Sequence, residues 1–277
     1  KPKLIYSTAS PFSAHLIALL LARISHLPWV ADFRDLWVDR PNFPSSKWRH
    51  FIDRKLESKV CQKAKHLVTV SSFIGERFKT LYPSISYTTI PNGYDENDFL
   101  NSELIEPHSE KFTITYTGIF NQEQNPDKFF QAVKILIDEQ KDFREKIRLR
   151  FIGQLDNPGE FHNYLRLIEL GLDQYSDILS YQPHQQVIQE MKKATVLLLF
   201  IGEYRLNQAI LTGKLFEYLR ARRPIFAVVP IDGAAADIVH QANAGLVVAN
   251  DNPAEIANGL FKIFNLFQQN LLEKIYS

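Results

Sequence analysis

Residues 195–200 read Thr-Val-Leu-Leu-Leu-Phe, and residues 224–229 read Pro-Ile-Phe-Ala-Val-Val. Neither run alternates apolar with polar. A strand with one wet face would alternate, so these runs belong to strands covered by helices on both faces. Helical segments follow the strands along most of the chain. Such alternation implies parallel sheets of the doubly wound α/β class.

The alternation occurs in two series. The first predicts strands at 3–8, 29–35, 66–71 and 87–90, and helices at 11–24, 45–64 and 71–82. Pro11 suits a first helical turn, and Ser71 or Ser72 a cap. Pro91-Asn92-Gly93 is a turn signal. Residues 94–111 are polar without a sustained period and read as the connection between domains. The second series predicts strands at 112–118, 148–153, 178–182, 195–200, 224–229 and 245–248. Its helices are expected at 126–140, 159–170, 184–193, 213–221, 234–241 and 253–267. Two Rossmann-like domains follow, 1–100 and 101–277. A doubly wound domain carries about six strands; the first series offers four and no glycine-rich first turn. That domain is expected to be truncated, with part of its fold ahead of Lys1.

Composition narrows the function classes. The 277 residues are 45% hydrophobic and 12% aromatic, enough for a large core. A net charge of +1 gives no broad nucleic-acid footprint. The single cysteine, Cys61, excludes an internal disulfide framework, fits a reducing compartment, and reads as a small helix-face residue. No apolar run reaches the ~20 residues that span a bilayer, since Arg23 interrupts 16–24. The start reads as strand plus loop, not as a signal peptide. A cytoplasmic protein is the expectation.

The densest chemistry lies in "LTGKLFEYLRARRPIFAVV", residues 211–229. Thr212 can cap a helix, and Gly213 admits close backbone approach. Lys214 in the first turn is unfavourable for the helix alone, because the helix start is already positive. A phosphate there removes the conflict. Glu217 lies one turn along on the same face and can accept hydrogen bonds from a ribose diol. The plainer alternative is a solvated Lys–Glu pair worth little.

This stretch resembles the C-terminal-domain signature of GT-B glycosyltransferases, in the large retaining family-four-like group (glycosyl transferases group 1) that uses nucleotide-sugar donors. "TVSSFIGERF", "TIPNGYDENDF", "FTITYTGIF" and "DGAAADIVHQANAGLVVANDNPAEIANGL" resemble further segments of that family, in the right order. The resemblance implies that Glu217 holds the ribose, that Lys214 and Gly213 lie beside the diphosphate, and that Gly118 leaves room for the phosphates. It seats the base near "YQPHQQV", making Gln182 and His184 candidates. Asp35 in "ADFRDLW" would face the acceptor or sugar, and His15 matches a cleft histidine loosely. A packed histidine and a loop aspartate are the bland readings of these two.

The chain also departs from the pattern. An earlier glutamate common in the family is replaced by Ala209. The arginine and lysine common after the first-strand glycine are replaced by Ile119 and uncharged Gln124 and Asn125. Arg205 is the substitute phosphate ligand, with an exposed loop arginine as its plain reading. There is no Asp-x-Asp pair and no His/Cys cluster with ligand spacing. No cofactor and no metal are expected, the nucleotide-diphosphate sugar being a substrate.

Helix 45–64 mixes Trp48, Phe51, Ile52, Leu56 and Val60 with six basic residues. Its apolar stripe packs on the sheet, or it makes a peripheral contact with an anionic membrane. The expected activity is transfer of a hexosyl or hexosaminyl group to a glycan or lipid-linked glycan. Three alternatives stand beside it: a nucleotide-sugar-binding protein without transferase activity, a UDP-sugar epimerase, which needs an acid/base set the sequence does not display, and a two-domain binding protein of periplasmic type.

Overall fold

The computed structural model describes residues 1–39, 46–100, 110–120, 124–156 and 162–276. The chain divides into two compact units, Lys1–Asn92 with Arg205–Leu211, and Gly93–Tyr204 with Thr212–Ser277.

In the first unit β1 (Ile5–Ala9), α1 (Ser13–Ser25), β2 (Trp29–Phe33), α2 (Lys47–Lys63), β3 (His66–Thr69), α3 (Ser72–Leu81) and β4 (Tyr87–Thr89) follow one another. The strands form one parallel sheet in chain order, β1-β2-β3-β4. Ser71 caps α3 by accepting from Ile74 N at 3.3 Å. Trp29, Phe33, Phe78 and Val60 fill the core, and Cys61 packs beside them with its thiol pushed up by burial. Leu206 and Ala209, from the short returning segment, belong to the same core.

Helix α2 departs from its expected pattern. Val60 is buried, but Trp48 and Phe51 are 71% and 51% exposed. The buried face carries carboxylates instead, Asp53 and Glu57. Glu57 accepts from Val38 N at 3.0 Å, Arg54 Nη1 at 2.7 Å and Tyr82 Oη at 2.8 Å. Asp53 accepts from Arg49 Nε at 2.6 Å. Buried carboxylates persist only when paired in this way. The start of the helix expected at residue 45 lies outside the described residues.

The second unit opens with α4 (Glu96–Leu100), then β5 (Phe112–Ile119), α5 (Asp127–Glu139), α6 (Lys141–Lys146), β6 (Ile147–Gln154), α7 (Asn163–Glu169), β7 (Ser176–Leu179) and α8 (His184–Lys193). It continues with β8 (Val196–Phe200), α9 (Gly213–Ala221), β9 (Ile225–Val228), α10 (Ala234–Gln241), β10 (Gly245–Val248), α11 (Pro253–Gln268) and α12 (Leu272–Ile275). Its parallel sheet has the order β10-β9-β8-β5-β6-β7. Every residue of β8 and β9 is buried, as their unbroken apolar runs require. Phe112, Phe143 and Phe264 pack edge-to-face and tilted at 5.1–6.1 Å on one side of the sheet.

Among the described residues the α-helices α4, α6 and α12 were not expected from the sequence. Helix α4 lies in the supposed connection. It is too short to show a period, and it is held by buried Phe99 and by an ion pair from Glu96 to Arg220. The strand expected at 178–182 runs instead over Ser176–Leu179, because Ile178 and Leu179 pair with β6 and the chain turns off before Pro183. The predicted start of the helix at 159 lies outside the described residues.

Candidate functional site

Strand order in the second unit reverses between β5 and β8, with β6 and β7 built outward on one side and β9 and β10 on the other. Ligands of doubly wound sheets collect outside the carboxyl ends of the strands at such a point. The carboxyl end of β5 there carries Gly118, in register with Gly153 of β6. Both adopt positive φ, +131° and +122°, a backbone region open to glycine. A Cβ on Gly153 would lie 2.3 Å from Gly118 O, so the two strand ends approach more closely than side chains allow.

Helix α9 buries Leu215, Phe216, Tyr218 and Ala221. The Tyr218 hydroxyl accepts from Thr117 N at 3.1 Å and hydrogen-bonds Thr117 Oγ1 at 3.1 Å. These bonds, about 1 kcal/mol each, tie the helix to β5 one residue before Gly118. Lys214, one turn before Tyr218, is thereby laid over the Tyr116 ring, with Nζ 4.1 Å from its centroid. Tyr116 in turn stacks on Phe120 at 4.1 Å. Burial pulls the Lys214 ammonium down to about 8, while the Glu217 carboxylate opposes that fall. A cation over an aromatic face is attracted by the ring, yet desolvation wins.

Thr212 sits at the N-cap, but its side chain makes no capping bond, contrary to expectation. Its hydroxyl oxygen is buried without a partner among the described residues. Gly213 is exposed, with open space around its Cβ position. The start of α9 thus keeps its positive end without a capping side chain. Glu217 Oε1 accepts from His184 Nε2 at 2.9 Å, and His184 Nδ1 stands 3.5 Å from Asp98 Oδ2. Lys214, Glu217, Gly118, Gly213 and His184 all belong to this one unit. Gln182 donates to Ser180 O at 3.3 Å.

Asp35, His15 and Arg205 belong to the first unit. Arg205 pairs with buried Asp39, Nη2 to Oδ1 at 3.4 Å. Burial would raise that carboxyl, but Arg54 and Arg77 hold it below its usual range. Asp35 is exposed in the loop after β2. His15 corrects expectation: it is 0% exposed, its Nδ1 is 2.8 Å from Ser7 Oγ, and Trp29, Phe33 and Phe12 pack around it. Burial drives its pKa down to about 4, with Asp32 opposing, so the imidazole is neutral and offers a substrate no accessible atom. Ala209 is 5% exposed in the first unit's core, where a glutamate would be desolvated. Gln124 accepts from Tyr116 Oη, and Asn125 Oδ1 from Asp127 N at 3.0 Å. Among the described residues no three His, Cys, Asp or Glu side chains group as a metal site. Nor is any helix long and apolar enough to cross a membrane.

Tyr116, Tyr218, Gly153 and Asp98 were missed in the sequence. Tyr116, Tyr218 and Asp98 lie inside the quoted motifs, where an aromatic reads as core. Asp98 lies in a stretch without period.

The profile of the glycosyl transferases group 1 family matches residues 111–265, and that of Glycosyltransferase Family 4 matches residues 1–98. The chain belongs to the glycosyl transferases group 1 family, and its α/β fold of two Rossmann-like units is of the GT-B class. No curated protein sequence matches it. Sucrose-phosphate synthase from Thermosynechococcus elongatus superposes with a TM-score of 0.70 at 15% identity, over 98% of this chain and 66% of that one. Anabaena Alr3699/HepE in complex with UDP gives 0.72 at 14% identity, over 98% and 71%. UDP-bound MnaA from S. aureus gives 0.57 at 14% identity, over 99% and 71%. This chain therefore spans about two thirds of the length of the structures it resembles.

Proposed function

We propose that the second unit binds a nucleoside-diphosphate sugar and that the protein transfers the sugar, a hexosyl or hexosaminyl group, to a glycan or lipid-linked glycan. One observation carries this reading: the Lys214 ammonium stands between Gly118 and the Tyr116 ring at the uncapped start of α9, with Glu217 one turn on. An ammonium that burial disfavours gains most from an anion. The diphosphate would take the lysine and the first-turn N–H groups, and the ribose diol the carboxylate. Two structures of the same fold contain UDP in this role's chemical class.

As the bond from sugar carbon to phosphate breaks, negative charge grows on the departing diphosphate. Lys214 and the helix start stabilise that charge, and they do so without a metal ion. Retention at the sugar carbon is the outcome this reading assigns, as the resemblance to the retaining group implies. We assign Asp35, exposed beyond β2, to the acceptor or sugar, and give His15 no chemical part. Trp48 and Phe51, exposed on α2 with Lys55 Nζ 4.3 Å from the Phe51 ring centroid, suit a peripheral contact with an anionic membrane. The cytoplasm, at the inner face of the cell membrane, and polysaccharide biosynthesis are the setting this reading proposes.

A second reading, donor binding without transfer, is favoured by Ala209 and by the uncharged Gln124 and Asn125. Thermal-shift screening against UDP, GDP, ADP and their sugars, followed by a transfer assay, separates the two. Glu217→Ala is expected to weaken the best nucleotide at least tenfold, about 1.4 kcal/mol, while EDTA leaves wild-type binding unchanged. An unaltered affinity in the variant removes the ribose role, and loss of binding on chelation removes the metal-free one.

A further inference from the structure

We infer that His184 is a positioning residue for Glu217, braced by Asp98, and not a contact to the nucleobase. The inference rests on the ribose role proposed for Glu217. A carboxylate only accepts hydrogen bonds, so His184 Nε2 donates to Glu217 Oε1 at 2.9 Å. The other ring nitrogen faces Asp98 Oδ2 at 3.5 Å. The neutral ring spends its one N–H on Glu217, and in the imidazolium the second N–H faces Asp98, so neither form keeps a free N–H for a base edge.

The brace is anchored at each end. His184 opens α8 directly after Pro183, whose φ of −55° is fixed by its ring. Asp98 is presented by α4, and α4 is itself fastened to the unit. Phe99 is buried, Glu96 pairs with Arg220 of α9, and the Arg220 guanidinium lies 5.2 Å from the Phe99 ring centroid. Glu217, by contrast, is a long side chain with about a quarter of its surface exposed. Unheld, it would sample several rotamers, and ordering such a chain on binding costs conformational entropy. The His184 bond selects one orientation before ligand arrives. It uses one acceptor position of the carboxylate and leaves the second oxygen for a ribose hydroxyl.

The test compares the tightest binder among UDP, GDP and ADP with its 2′,3′-dideoxy counterpart, by calorimetry. Wild type is expected to prefer the ribonucleotide at least tenfold. His184→Ala is expected to lose about three- to tenfold for the ribonucleotide and nothing for the dideoxynucleotide, a loss the size of one net hydrogen bond. His184→Gln, whose amide can still donate to Glu217, is expected to recover most of it, and Asp98→Ala to fall between. An equal loss for both nucleotides, or an unchanged preference in His184→Ala, overturns the inference while the ribose role survives. A wild type with no preference overturns the ribose role and this inference together. Should His184→Ala fail to fold, Asp98→Ala decides: an unchanged preference there refutes the brace.

Discussion

Lys214 Nζ stands 2.6 Å from the point a Cβ on Gly118 would occupy. The end of β5 and the start of α9 are therefore shaped around one ammonium group.

Gly118→Ala meets two penalties. The new methyl displaces the lysine, and a φ of +131° suits no residue with a Cβ. Strain of this kind costs on the order of 1–3 kcal/mol. The variant should melt several degrees lower and bind nucleoside diphosphate at least tenfold more weakly. A variant of wild-type stability and affinity would show that the strand end has no such constraint.

Lys214 is a liability in the empty protein. Its folded pKa, about 8, lies below the ordinary 10.5 because of burial. Below 8 the amine is charged in both folded and unfolded chains, and the fold bears the desolvation cost. Between about 8 and 10.5 the unfolded chain keeps a proton that the folded site has released, so stability rises with pH. Lys214→Met should therefore stabilise the ligand-free protein at pH 7, by about 1–3 kcal/mol, and flatten that rise. The same variant should lose nucleotide affinity. Melting curves from pH 7 to 10 would contradict the account if the variant were the less stable at pH 7.

Diphosphate binding should raise the Lys214 pKa again, since an anion favours the charged form. Near pH 8.5, calorimetry in buffers of different ionisation enthalpy should report net proton uptake on binding. Zero uptake in wild type, or uptake persisting in Lys214→Met, would place the anion elsewhere.

His15 gives the first unit an acid-sensitive core. Burial holds its folded pKa near 4, against 6.5 in the unfolded chain. The stability of the neutral form is complete above 6.5 and is lost as pH falls towards 4, by on the order of 3 kcal/mol. His15→Gln should remove that slope. A variant with the wild-type acid profile would assign the loss to other groups.

The doubly wound fold was legible because buried parallel strands leave unbroken apolar runs, as in 196–200 and 225–228. The start of α9 was legible because a lysine in a first turn is a local conflict that asks for an anion. The parts that sequence hid are those set by distant partners. Trp48 and Phe51 read as core, but buried Asp53 and Glu57 take that face, paired with arginines along the same helix. The contact of Arg205 with Asp39, far off in the chain, was equally hidden. Asp98 lies inside the quoted TIPNGYDENDF motif, but a single turn of helix has no period from which its partner could be read.

The most direct test of the pyrophosphate cradle follows the glycines. The chain has 11, and 15N-glycine labelling reports each amide separately. On titration with UDP, GDP or ADP, whichever binds, the account predicts large shifts at Gly213 and Gly118 and none at Gly171, which sits in the turn after α7. Saturation of the nucleotide with Gly213 and Gly118 unmoved would contradict it.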